Sequence, residues 1–319
     1  MKDFSNKLAV VTGGGSGIGR QLVVQLAAAG CNVATCDLNM ENLNETRSLA
    51  SDSVQVSLHA CDVSDESQVL AFAEAVLAEH QTDHINLLFN NAGVAGGGSF
   101  ITDERAQWDR TFAVCWQGVY NNCRAFMPAL VASSEAHLVN VSSVNGFWAS
   151  LGPQTPNTAY CAAKFAVKGF TEALITDLQM NAPHVGVSVV MPGHIGTSIT
   201  INTVEIQGMT EPADMSTEEL DEVRRRWSVL DKMALQLGDD DVRALLEQQG
   251  ERFRDEAPTT AEQAASIILD GVREKRWRIL VGEDAKALDA SVRQDPENAY
   301  GLEFFQKLLT SGHFGGAGV

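Results

Sequence analysis

The sequence predicts an α/β protein on a doubly wound parallel sheet. It forms a single domain over residues 1–319, with a helical insertion at about 200–257. Three observations predict this. Short apolar, β-rich runs alternate with longer helical patterns, which implies parallel strands covered on both faces. The runs break off in glycine-rich or polar residues, at the carboxyl ends where such sheets collect ligands. The alternation stops near Thr200, gives way to a charged stretch too long for a plain loop, and resumes at Thr260.

In chain order, residues 8–12 form a buried strand, followed by Gly13-Gly14-Gly15-Ser16-Gly17-Ile18-Gly19 and a helix over 20–29 closed by Gly30. Residues 32–36 form a strand ending at Asp37, then 40–50 are helical. A strand over 54–59 runs out near Asp62, and Asp65 caps a helix to residue 79. A strand over 85–89 is broken by Asn90-Asn91-Ala92-Gly93. A long helix covers 108–131 despite Pro128, then a strand over 137–141 stops at Ser142-Ser143. Helix 157–181 and strand 185–190 follow, the latter stopping at Pro192-Gly193. The insertion carries its own helices. Helix 260–275 and strand 278–281 close the pattern, and the tail after Gly312 is expected to be mobile.

Composition narrows the function. Apolar residues at 45% and charged residues at 20% exclude a disordered chain. Lys+Arg at 23 against Asp+Glu at 41 give a net charge of −18. That charge argues against nucleic-acid binding and against docking on anionic membranes. No apolar run approaches the ~18 residues of a membrane span, and no signal peptide is visible. The six cysteines, scattered and without a C-x-x-C pair, read as reduced, mostly buried thiols of a cytoplasmic protein with no metal site.

Gly13, Gly17 and Gly19 lie directly after the first strand and open the first helix. Glycine there lets backbone amides approach a pyrophosphate at the positive end of the helix dipole. Asp37 ends the second strand, 18 residues after Gly19. A carboxylate at that place accepts hydrogen bonds from ribose hydroxyls and repels a 2′-phosphate. The loop offers Ser16 and no Arg or Lys between 13 and 19, so NAD is favoured over NADP. Tyr160 and Lys164 are four apart on a helix and share a face. An ammonium beside a phenol favours the phenolate, so the pair can serve a carbonyl/alcohol couple as acid and base. Ser142 or Ser143 could hold the substrate oxygen.

These residues, with Asp62-Val63, Asn90-Asn91-Ala92-Gly93, Tyr160-Cys161-Ala162-Ala163-Lys164 and Pro192-Gly193-His194-Ile195-Gly196-Thr197, resemble the short-chain dehydrogenase/reductase family in order and spacing. The resemblance covers about residues 5–200 and the closing helix and strand, and implies a Rossmann fold. It implies Ser143, Tyr160 and Lys164 as the catalytic residues. Tyr160 would exchange the proton, and Lys164 would lower its pKa and bind the nicotinamide ribose. Ser143 would orient the substrate oxygen. It further implies a cofactor site of Gly13, Ser16, Gly17, Ile18, Gly19, Asp37, Asp62, Val63, Asn91, Gly93, Pro192, Ile195 and Thr197. In that site Asp62 and Val63 would meet the adenine, Asn91 would lie against the cofactor, and Ile195 and Thr197 would hold the carboxamide. Those family members form homodimers or homotetramers.

Two departures stand out. Cys115 occupies a position in the long helix where the family often has an asparagine, and a thiol is a poor replacement as donor or acceptor. Ser143 and Tyr160 lie 17 apart, wider than the family's usual spacing. The extra residues fall within 147–156, where Phe147 and Trp148 are expected to wall an apolar substrate site. Trp227 and its neighbouring methionines read as either the core of the insertion or a substrate lid, and His194 as a loop residue.

The function that follows is NAD-dependent oxidation or reduction of a bulky, hydrophobic secondary alcohol or ketone, a small-molecule substrate. The alternative is a dinucleotide-binding regulator or scaffold with weak catalysis, which Cys115 alone favours.

Overall fold

The computed structural model describes residues 1–152, 155–228 and 231–310. In chain order its elements are β1 (Leu8–Thr12), α1 (Gly17–Ala28), β2 (Asn32–Asp37), α2 (Met40–Leu49), β3 (Val56–Ala60), α3 (Glu66–Glu79) and β4 (Leu87–Asn90). Then come α4 (Arg105–Phe112), α5 (Gly118–Ala132), β5 (Ala136–Val141), α6 (Thr158–Asn181), β6 (Val185–Pro192), β7 (Ile195–Gly196), α7 (Ile199–Ile206), α8 (Thr217–Trp227) and α9 (Asp239–Asp255). The chain closes with β8 (Thr259–Thr260), α10 (Ala261–Arg273), β9 (Arg278–Val281), α11 (Glu283–Gln294) and α12 (Leu302–Thr310).

Seven strands form one parallel sheet in the order β3-β2-β1-β4-β5-β6-β9. Alternation along β1 divides the core. Val10 packs with Val69, Phe72, Phe126 and Val167 of α3, α5 and α6 on one face. Ala9 and Val11 pack with Leu22, Leu26, Ile268 and Leu269 of α1 and α10 on the other. The strand order reverses between β1 and β4, which opens a crevice beyond their carboxyl ends. Local chemistry sets the helix starts. Asp65 accepts the amides of Ser67 and Gln68, Asn39 accepts that of Asn42, and capping boxes open α8 at Ser216 and α10 at Thr260.

The expected long helix over 108–131 is three pieces: α4, a π-helical turn over Ala113–Gln117, and α5. Such a turn places one extra residue in the helix and often marks a functional site. Cys115 sits inside it, fully buried. The expectation for the tail after Gly312 lies outside the described residues. Helices α11 and α12 were not anticipated. Phe304 and Leu308 of α12 form a small core with Trp148, Leu288 and Ala299. All six cysteines are buried and free. Among the described residues no helix is long and apolar enough to cross a membrane.

One buried imidazole links this packing to solution behaviour. His137 on β5 is 3% exposed. Ser188 spends its proton on the Arg276 carbonyl, so His137 Nε2 donates to Ser188 Oγ at 2.7 Å. Burial, then the N-terminal ammonium and Lys275, lower the His137 pKa to about 4. The folded protein therefore binds fewer protons than the unfolded chain between about pH 6.5 and 4. Stability is full above the unfolded value and is lost as pH falls through that window, by about 3 kcal/mol for this group. His137→Gln keeps a donor for Ser188. Unfolding free energies measured from pH 7 to 4 should show a flatter decline in the variant; parallel curves would refute this assignment.

Candidate active site

The site begins with an uncapped helix. Ser16 takes the N-cap position of α1 in extended conformation but gives no side-chain cap, and the first turn holds no acid. Its free amides therefore open toward an anion. Gly13 (φ 68°) and Gly17 (φ 53°) take left-handed backbone. Gly19 is glycine for another reason: a Cβ there would lie 2.0 Å from the Gly13 carbonyl oxygen. Ser16, Gly17 and Ile18 line a cavity of about 640 Å³ at the crevice, whereas Gly19 lies behind them and packs helix against loop. Every other residue expected at the cofactor or catalytic site lines this same cavity: Gly13, Asp37, Asp62, Val63, Asn91, Gly93, Ser143, Tyr160, Lys164, Pro192, Ile195 and Thr197.

Several of these side chains also brace the protein. Asp37 Oδ2 accepts the Gly15 amide at 3.0 Å, and Oδ1 accepts that of Asn39 at 3.2 Å. Asn91 Nδ2 donates to the carbonyls of Thr12 and Gly13, tying β4 to the glycine loop. Asn90 Nδ2 donates to Asn140 Oδ1 at 2.8 Å, which steadies the centre of the sheet. The Asp62 carboxylate is engaged by Ser64 and, at 2.8 Å, by Arg110 of α4. Burial raises its pKa, but these hydrogen bonds outweigh that and hold it below the ordinary carboxylate range.

Ser143, Tyr160 and Lys164 converge at the cavity floor. Lys164 is 3% exposed, donates to the Val141 carbonyl at 3.0 Å, and sits 5.4 Å from the centre of the Tyr160 ring. Burial lowers the Lys164 pKa. Crowding of the Tyr160 hydroxyl raises the phenol above its ordinary range; Cys115 adds to this, and the Ser143 hydroxyl opposes it. The protein's own groups thus hold the phenol protonated. Ser142 Oγ donates to the Lys164 carbonyl at 2.7 Å and is spent on structure. Ser143 Oγ accepts the Asn145 amide and keeps its proton available. Cys115 Sγ donates to the Val94 carbonyl at 3.2 Å.

The insertion supplies the outer wall. Ile199, Asn202, Thr203, Glu205 and Ile206 of α7 and Phe253 of α9 line the cavity. Thr203 Oγ1 accepts the Ala95 amide at 2.9 Å, and Gln207 Nε2 donates to the Ala95 carbonyl and Thr111 Oγ1. Leu220, Val223 and Val242 form a small core with Met215, Trp227, Leu237 and Leu246. Trp227 thus belongs to the insertion's own small core, while α7 and Phe253 line the cavity.

The expected wall of Phe147 and Trp148 is not there. Neither residue lines the cavity. Trp148 packs against Phe304 and Phe305, and its Nε1 donates to the Ala299 carbonyl at 2.8 Å. The extra residues curl back, with Asn145 Nδ2 donating to the carbonyls of Trp148 and Ser150. A buried indole with its N–H satisfied is more stable there than one facing water. Within that expected stretch, Pro153 and Gln154 lie outside the described residues. His194 is more than a loop residue. Its ring lies tilted against that of Phe253, centroids 4.4 Å apart, and donates to that residue's carbonyl at 2.7 Å. Sequence offered no signal for this pairing across 59 residues.

Comparison with known proteins agrees with this geometry. A family model described as short chain dehydrogenase matches residues 7–207. A Mycobacterium tuberculosis protein named as an oxidoreductase, SadH, is 34% identical over 294 residues, 92% of each chain. Mouse epidermal retinol dehydrogenase 2 is 33% identical over 178 residues, 55% of this chain and 56% of that one. A Burkholderia phymatum short chain dehydrogenase/reductase, solved in complex with NAD, superposes with a TM-score of 0.72 at 29% identity, covering 93% of this chain and 95% of that one. A metagenomic short-chain oxidoreductase solved with NADP gives 0.53 at 34% identity, covering 60% and 83%.

Proposed function

The chain belongs to the short-chain dehydrogenase/reductase family of oxidoreductases, and we propose that its reaction moves hydride between a secondary alcohol or its ketone and NAD. The observation that carries this is the meeting of Ser143, Tyr160 and Lys164 in one cavity with the uncapped start of α1 and the Asp37 carboxylate. The residues fit a dinucleotide. Free amides at Gly17 and Ile18 suit the pyrophosphate, Asp37 suits ribose hydroxyls, and the Pro192–Thr197 wall suits the nicotinamide. When bound, the cofactor supplies the hydride-accepting ring and a positive charge that favours phenolate. Tyr160 Oη holds or takes the substrate proton, Ser143 Oγ–H holds the substrate oxygen, and Lys164 keeps its charge beside the phenol. Thr203 of α7 and Gln207 just beyond it pin this wall to Ala95 beside the reacting centre.

The substrate is a hydrophobic alcohol or ketone. Val94, Val114, Ile199, Ile206 and Phe253 support this reading, in place of the turned-away Trp148, and the retinol dehydrogenase relatives agree with it. Cys115 is bonded to Val94 and leaves the catalytic trio intact, so the regulator or scaffold alternative loses its support. The active form is a homodimer or homotetramer. Exposed Tyr120 and Phe165 on α5 and α6 support that assembly, which sedimentation tests.

The decisive experiment offers NAD and a panel of steroid-like, terpenoid and aromatic secondary alcohols to the purified protein and follows NADH absorbance. Turnover of at least one apolar alcohol is expected. A protein that binds NADH yet turns over no alcohol or ketone on the panel would end this reading.

A further inference from the structure

The third residue to follow the last strand of the sheet is a buried acid that the proposed chemistry does not use. Asp284 opens α11 and is 3% exposed. Its side chain turns back under the Pro192-Gly193-His194 turn, where Oδ2 accepts the His194 amide at 2.6 Å. Oδ1 is buried with no hydrogen-bond partner of ordinary geometry. Two glycines admit the carboxylate. A Cβ on Gly193 would lie 2.1 Å from Oδ2, and one on Gly282 would lie 2.2 Å from Oδ1. Burial raises the carboxyl pKa, and the His194 amide only partly offsets this. A buried acid with one oxygen unsatisfied is costly, and an apolar residue could fill the space without that cost.

What the acid holds explains its presence. The turn it grips continues into Ile195 and Thr197, which line the cavity. The same His194 reaches across to Phe253, whose ring is also part of the cavity wall. The Gly196 backbone presses so closely on α9 that a Cβ would lie 2.6 Å from the Arg254 carbonyl. Asp284 therefore stands where the sheet edge, the 192–197 turn and the inner helix of the insertion meet.

We infer that Asp284 is a positioning residue: by fixing the His194 amide it sets the nicotinamide-side wall of the site and, through the His194 ring, the seat of α9. It touches neither substrate nor cofactor. This inference rests on the dinucleotide reading above and deepens it. Because the adenosine half of the site is built on β1, β2 and β3, far along the sheet from β9, it is independent of Asp284.

The test compares two ligands that differ only in the nicotinamide. Affinities for NAD and ADP-ribose are measured by calorimetry on native protein, Asp284→Ala and Asp284→Asn, with melting temperatures alongside. Asp284→Ala should weaken NAD about tenfold or more, since small misplacements of positioning elements carry costs of that order, and leave ADP-ribose unchanged. Asp284→Asn keeps an acceptor for the His194 amide and should restore NAD binding. If Asp284→Ala does not fold, Asp284→Ser, too short to reach that amide, should give the same split. Equal weakening of both ligands, or no weakening of either, overturns the inference. Native protein that binds neither ligand overturns the dinucleotide reading itself, and the two failures are told apart by the native measurement alone.

Discussion

Tyr160→Phe should lower kcat by about a thousandfold, within the 10²–10⁴ range of a lost general acid or base, while NADH binds as in the native protein. The substitution removes one oxygen and leaves the ring that faces Lys164 at 5.4 Å. Ser143 and Lys164 keep their own partners, the Asn145 amide and the Val141 carbonyl, so neither is released to move. In the proposed reaction the phenol is the group whose proton state changes, and its surroundings hold it protonated. Alcohol oxidation should therefore rise with pH until the hydroxyl can ionise, and the rise should vanish in the variant. Stopped-flow turnover and NADH fluorescence separate the two readouts. Full activity in Tyr160→Phe would remove the proposed chemistry altogether.

Asp37→Asn should shift the preference for NAD over NADP, measured as the ratio of kcat/KM values, by about a hundredfold toward NADP. Like charges brought together across a binding site cost several kcal/mol, and the change removes one of them. Asn is the informative replacement because Asp37 has a second task. It accepts the Gly15 and Asn39 amides, and an amide oxygen can still accept from the glycine loop. Asp37→Ala forfeits those bonds as well and should lose affinity for both cofactors. The variant should be relaxed rather than reversed, because the nearby cation is committed. Arg20 holds the Gly15 carbonyl at 2.6 Å and Glu45 at 2.7 Å. An unchanged ratio in Asp37→Asn would mean that the carboxylate does not read the ribose.

The elements that sequence reading placed best were those whose signal is local. The strands over Leu8–Thr12 and Arg278–Val281 are found at the expected bounds, and Asp65 caps α3 as expected. Most residues expected at the site line one cavity, since many lie at the breaks where strands end and Tyr160 and Lys164 share a face of α6. What failed depended on partners far along the chain. Trp148 was assigned to a substrate wall from its neighbours in sequence, but its indole packs 151 residues away at Ala299. The break of the long helix into α4, a π turn and α5 has no residue such as proline to announce it; Pro128 lies well inside α5.

The sequence alone determined the order of the seven sheet strands, the glycine turn, the acid that follows it and the spacing of phenol and ammonium. Each depends on backbone preference or on side chains within a few residues, so the order of amino acids suffices. Only the tertiary structure decided that Gly19 packs α1 against the glycine loop, that Trp148 serves the C-terminal helix, and that His194 and Asp284 join the sheet edge to the insertion. Those outcomes depend on which distant surfaces bury one another most completely. Burial is a property of the assembled core, which no stretch of chain carries by itself.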